Sequence, residues 1–272
     1  MKSEILELRA DLKAAVRIGH PESIQIGLDG FRALSEVAGN AALSQAFLEQ
    51  VVLPLGEVLA SPRLDVEQFD TLLGDPLVGV RALGAVALGV RFLAGQGVEA
   101  DDLYLPARDP RAEVRIALGE TLARHAGQDP QRLLALVRDW FGVGAKSVQS
   151  RRVRLSALIA LRGLIPDRGE EAIALLSALP KEDDRQVRAA HVETLIAVAE
   201  HGRETEVYEL LASWGEEAEP DTWMIAKLLS AAWAARDVDQ SKAILQILGE
   251  RVGEDRAIER AKRALARHGG NS

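Results

Sequence analysis

At 272 residues the chain has room for one or two globular domains or one elongated repeat domain; 47% is apolar but only 4% aromatic, so a core must be built mainly of Leu, Ala and Val, the filling of helix–helix interfaces. Cysteine is absent, which excludes disulfides, thiolate zinc sites and a cysteine nucleophile. The net charge of −8 disfavours nucleic acid as a partner for the whole surface, but it is uneven: residues 1–74 carry −5, residues 75–165 carry +4 and residues 166–272 carry −7.

In chain order, Ile5, Leu8, Leu12 and Val16 fall on one face and predict a helix from Ser3 to Ile18. Acids interrupt its apolar stretch, unlike a secretory signal, and no uncharged apolar run reaches the ~18 residues that span a bilayer. A soluble cytoplasmic protein with no membrane segment is therefore expected. His20-Pro21 ends the first helix and opens a second, about Pro21 to Val37. Gly39-Asn40 separates it from a third, about Ala41 to Leu59, which Pro54 should kink or divide. Ser61-Pro62 precedes a shorter helix from Leu64 to Leu73.

From there a period takes over. Asp75-Pro-Leu-Val-Gly-Val-Arg-Ala-Leu-Gly returns as Asp109-Pro-Arg-Ala-Glu-Val-Arg-Ile-Ala-Leu-Gly, with fainter copies around Arg154 and Arg188. Aligned on the arginine after valine, the column reads Arg81, Arg115, Arg154 and Arg188, at intervals of 34, 39 and 34 residues, and continues to Lys227 and Lys262. Long helices carrying this column are expected at about 76–94, 110–126, 148–165, 184–201, 221–236 and 254–268. Shorter ones are expected at 129–142, 168–179, 203–214 and 238–249, and Gln96 to Arg108 should form barely a turn or two. Asp75-Pro76, Asp109-Pro110 and Asp129-Pro130 read as N-caps followed by a first-turn proline. Small residues such as Gly84, Ala117 and Gly119 recur on the long helices and permit close approach. No segment alternates with period two, so the expected fold is all-α.

The Asp-Pro, the Val-Arg and the small residues with a Leu about seven positions on resemble HEAT repeats, in particular the bacterial type related to phycobilisome-lyase repeats. The resemblance covers about 64–268, leaving 1–60 as a cap or degenerate repeats of a single domain. It implies antiparallel helix pairs stacked into a right-handed superhelical solenoid with the second helices on the concave face. It also implies a ladder in which each column arginine meets a turn aspartate of a neighbouring unit. The rungs would draw on Asp75, Arg81, Asp109, Arg115, Arg154, Arg188, Asp221 and Lys227. The acidic column, Asp75, Asp109, Val148, Glu182, Asp221 and Arg256, fails at Val148 and Arg256.

Outside the ladder, Arg151, Arg152 and Arg162 make the third long helix the most basic, with Arg91, Arg111 and Arg124 in neighbouring units. They form either a solvated face or a patch for phosphates or an acidic peptide. Of the four tryptophans, Trp140 and Trp214 end shorter helices and should pack between units. Trp223 and Trp233 lie ten residues apart on one expected helix, where either is a core residue or an anchor for a partner. The five histidines have no metal-binding spacing, Gly142-Val-Gly144 follows no strand, and neither a metal, a cofactor nor a catalytic residue is assigned.

The expected function is a non-enzymatic scaffold holding a protein or peptide partner on the concave face. The alternative is a nucleic-acid-binding protein related to HEAT-like enzymes that excise alkylated DNA bases, acting through the basic middle. The Trp-and-Asp pair with a neighbouring Arg that such an enzyme needs cannot be placed. A lyase or chaperone role toward bilin-carrying proteins is suggested by the type of repeat alone.

Overall fold

Leu, Ala and Arg favour helix throughout, and Asp, Pro and Gly decide where each helix begins and ends. The computed structural model describes residues 2–39, 44–142, 148–179 and 181–269, and every regular element among them is helical. The helices are α1 (Lys2–Ile18), α2 (Pro21–Ala38), α3 (Gln45–Phe47), α4 (Leu53–Leu59), α5 (Val66–Leu73), α6 (Val78–Leu93), α7 (Tyr104–Ala107) and α8 (Ala112–Arg124). There follow α9 (Pro130–Gly142), α10 (Val148–Leu161), α11 (Ile165–Ser177), α12 (Arg185–Val198), α13 (Glu204–Gly215), α14 (Thr222–Leu229), α15 (Val238–Val252) and α16 (Arg256–Gly269). They fall into two compact units, Met1–Gly163 and Leu164–Ser272.

In the first unit α1 pairs with α2, and α4, α6, α8 and α10 pack one on the next. Helices α5, α7 and α9 back onto α6, α8 and α10 respectively. The expected helix up to Leu59 is divided ahead of Pro54: a π turn at Leu48–Val52 joins α3 to α4. The proline then occupies the first turn of α4, where its missing N–H costs least. Residues 41–43 of that expected helix lie outside the described residues, as do 143–147, including Gly144.

Small residues set how closely these helices approach. A Cβ on Gly119 would lie 2.7 Å from Cβ of Ile159, and one on Gly56 would lie 2.5 Å from Cβ of Val86. α6 is consequently buried almost all round.

Two of the expected N-caps are corrected. Asp129 caps α9, its Oδ1 accepting from the Arg132 amide at 2.9 Å. Asp75 and Asp109 instead close tight turns ahead of their helices, accepting at 2.8 Å from the amides of Leu77 and Arg111. α6 and α8 open only at Val78 and Ala112, with no side-chain cap.

In the second unit α11–α12, α13–α14 and α15–α16 are helix pairs, and α12, α14 and α16 pack successively. The helix expected at 221–236 does not form whole. α14 ends at Leu229, where Ser230 Oγ donates to the Ala226 carbonyl at 2.6 Å, and the chain resumes as a 3₁₀ turn at Ala232–Arg236. That break swings Trp233 under Tyr208, with ring centroids 4.9 Å apart.

Candidate functional site

Two arginines of the column, Arg81 and Arg188, form rungs between successive helix pairs. Arg81 Nε lies 2.7 Å from Asp109 Oδ2, while Nη2 donates to Oδ1 at 3.2 Å, a bidentate contact. Arg188 Nη2 reaches Asp221 Oδ1 at 2.5 Å, and the same oxygen accepts from the Met224 amide at 3.0 Å. A further rung was not read from the sequence: Arg32 Nη2 lies 2.5 Å from Asp75 Oδ2 and extends the ladder to α2. That contact raises the pKa of Arg32. Each acid thus spends its carboxylate both on its own turn and on the arginine of the preceding pair.

Arg115 and Arg154 are buried. At the C-terminal end the pattern changes. Lys227 is exposed, and Lys262 pairs with Glu259 of its own helix at 2.8 Å. The helix-opening acids there are Asp184 and Asp255, which accept from the amides of Gln186 and Ala257, rather than the column positions Glu182 and Arg256.

Several arginines of the basic middle make contacts within the protein, some of them at its surface. Arg162 Nη2 lies 3.4 Å from Glu120, Arg152 Nη1 is 3.5 Å from the Arg108 carbonyl, and Arg111 pairs with Glu113 at 2.9 Å. Arg91 donates to the carbonyls of Leu64 and Gln96 and lies over the Phe69 ring. Arg151 and Arg152 are half-buried and Arg124 is exposed. Of the expected patch, Arg162 thus meets Glu120 and Arg152 the Arg108 carbonyl, and both side chains stay partly exposed beside Arg151.

The tryptophans separate into different roles. Trp140 is buried, with Tyr104 edge-on at 6.4 Å. Trp233 is 1% exposed, which removes it as an anchor and corrects its placing beside Trp223 on one helix. Trp223, in the first turn of α14, remains 38% exposed. The Arg188 guanidinium lies over its ring at 4.6 Å, fixed from the other side by Asp221. Indole, guanidinium and carboxylate form one braced platform.

Beside it, between α11–α12 and α13–α14, is a cavity of about 300 Å³ lined by His191, Trp214, Met224, Arg188 and Asp221, with Lys181 and Glu217 at 3.0 Å from each other. His191 is buried edge-on to Trp214, ring centroids 5.8 Å apart, and burial lowers its pKa to about 4. It carries no motif. Its signal in the sequence is a lone histidine on the inner face of a helix.

Two more features belong to α15 and α16. A groove of about 970 Å³ runs between them over Leu245, Ile258 and Leu265, with Lys242, Glu250 and Lys262 along its walls. On the solvent side of α16, Arg256, Arg260, Arg263 and Arg267 recur at steps of four, three and four, all exposed. With Lys262 against Glu259 that helix carries +4 within an acidic region.

Neither a protein-family model nor a curated protein matches the chain. Among the described residues no group of three His, Cys, Asp or Glu is placed to hold a metal ion. No described helix is long and apolar enough to cross a membrane.

Proposed function

We propose that the protein is a non-enzymatic binding module of HEAT-like architecture, whose helix pairs follow a right-handed superhelix with α12, α14 and α16 on the concave side. It holds a protein or peptide partner, with Trp223 as the anchor. The observation that carries this is the braced platform. A 38%-exposed indole is held under a guanidinium that is itself fixed at 2.5 Å by Asp221. Trp and Arg are the side chains most enriched among binding hot spots, and a pre-ordered pair loses little entropy on binding. The test is a quantitative pull-down with wild type and Trp223→Ala. A discrete protein species that the variant retains at least ~10-fold more weakly supports the proposal. Recovery that does not depend on Trp223, or recovery of nucleic acid alone, overturns it.

Nucleic acid is the second reading, and α16 favours it in place of the middle units. Four exposed arginines in one stripe suit successive phosphates. Its test is the salt dependence of duplex and single-strand binding. Replacing Arg260 and Arg263 by Gln should lower the log–log slope by about 2, and no affinity at low salt removes this reading.

A further inference from the structure

The six basic side chains of residues 1–74 are not spread evenly. Arg32 belongs to the ladder, whereas Arg9, Lys13, Arg17 and Arg63 line one cavity of about 490 Å³ between α1 and the turn that follows α4. Arg9, Lys13 and Arg17 succeed one another at steps of four, which sets all three on one side of α1. The acids of that helix, Glu4, Glu7 and Asp11, line a separate cavity against α2. α1 is thus divided lengthwise by charge.

Like charges four apart on a helix repel one another, and here a fourth cation joins them from a different element. Arg63 is held in place: its Nη1 donates to the Arg17 carbonyl, and its amide donates to Ser61 Oγ at 3.3 Å. Ser61 also lines the cavity and keeps its hydroxyl proton as a donor. The carboxylate in the lining, Glu57, lies 3.5 Å from His125 Nε2. Among the described residues none of the four cations forms a salt bridge. Four cations against one carboxylate leave a charge of +3 around the cavity. Lys13, Arg17 and Arg63 are exposed and Arg9 is half-buried, so this charge is open to a ligand from solvent.

We propose that this cavity binds a compact polyanion, a di- or triphosphate group, with Arg9, Lys13, Arg17 and Arg63 on its oxygens. Guanidinium forks match phosphate oxygens in pairs, and the lysine adds a mobile point charge. A single phosphate would meet only part of a row whose ends, Arg9 and Arg17, are about 12 Å apart along the helix. The volume is that of a small-ligand site, and no aromatic side chain lines it to stack a base, so the phosphates themselves are recognised. This inference goes beyond the Trp223 platform, which belongs to the other unit, and stands or falls apart from it.

The test titrates the full chain with tripolyphosphate, orthophosphate and ATP at low salt in a calorimeter. Tripolyphosphate should bind at one site per chain, at least ~10-fold tighter than orthophosphate. Lys13→Gln and Arg17→Gln, both at exposed positions, should each weaken its binding at least ~10-fold. Arg138→Gln makes the same change in net charge at an exposed position of α9 and should leave binding unchanged. Should a variant not fold, the preference for tripolyphosphate over orthophosphate decides on the wild-type protein alone. No saturable binding, equal affinities for the two anions, or an equal loss in all three variants overturns the proposal. Tighter binding of ATP than of tripolyphosphate assigns the group to a nucleotide, and the reverse assigns it to inorganic polyphosphate; both uphold the site.

Discussion

Arg81 grips Asp109 with two nitrogens, 2.7 and 3.2 Å from the carboxylate, across the boundary between one helix pair and the next. The same carboxylate closes the turn that leads into α8. Both side chains are mostly buried, at 14% and 9% exposed, so the contact is poorly screened. Arg81→Ala should destabilise the protein by about 1–3 kcal/mol, because it strands a buried acid. Asp109→Ala should cost at least as much, since the turn loses its acceptor as well. In urea denaturation the double variant should fall short of the sum of the singles by about 1 kcal/mol or more. Strict additivity would mean that the rung contributes nothing as a pair.

Much of this ladder is legible in the sequence, because a repeat writes the same contact several times. Asp75, Asp109 and Asp221 can be found by counting back from Arg81, Arg115 and Lys227. The partner of each arginine, one pair further on, is not visible in spacing alone. Arg32 escapes because 49 residues separate it from Arg81, and no Asp-Pro precedes it. The candidate site is less legible than the fold. Whether an arginine is free depends on three-dimensional neighbours such as Glu120 and the Arg108 carbonyl. His191 matters because burial beside Trp214 keeps its ring neutral, and no residue pattern encodes that burial. The stripe on α16 can be read from its 4-3-4 spacing, but the arginine column draws attention to Lys262 instead.

Glycine offers a second test of how the first unit packs. A Cβ on Gly163 would lie 2.3 Å from the Ala123 carbonyl oxygen and 2.6 Å from its Cα, and backbone cannot rotate away. Gly249 lies within α15 and has nothing within 4 Å of its would-be Cβ. Gly163→Ala should therefore destabilise by roughly 1–3 kcal/mol through overpacking. Gly249→Ala should stabilise by roughly 0.5–1 kcal/mol through helix propensity and a less free unfolded chain. Thermal melts of the two variants should move in opposite directions.

His191 makes stability depend on pH. Its folded pKa is lowered from 6.5 to about 4 by burial, so between those values the unfolded chain binds the proton and the folded protein does not. The contribution is present in full above pH 6.5 and is lost as pH falls toward 4; below that both states are protonated and nothing further is lost. The loss amounts to about 3 kcal/mol. His191→Phe removes the proton site, so its stability should change less than that of the wild type between pH 7 and pH 4. Parallel curves for the two proteins in chemical denaturation would show that another group carries the acid sensitivity.

The two tryptophans at the start and end of the 222–236 segment should respond oppositely to truncation. Trp233 is 1% exposed and packs on Tyr208, whose hydroxyl donates to the Ala234 carbonyl at 3.1 Å and lies 3.0 Å from Ser241 Oγ. Removing that indole leaves a large cavity next to a buried polar network, and Trp233→Ala should cost about 3–5 kcal/mol. Trp223 gives up far less. It is 38% exposed, and its main fixed neighbour is the Arg188 guanidinium, which keeps Asp221 as a partner after the ring is gone. Trp223→Ala should then cost about 1 kcal/mol or less, the worth of an exposed cation–π contact. Urea midpoints at equal slope measure both. If Trp223→Ala unfolded the protein as readily as Trp233→Ala, the exposed indole would be a piece of the core, and the case for it as an anchor would be lost.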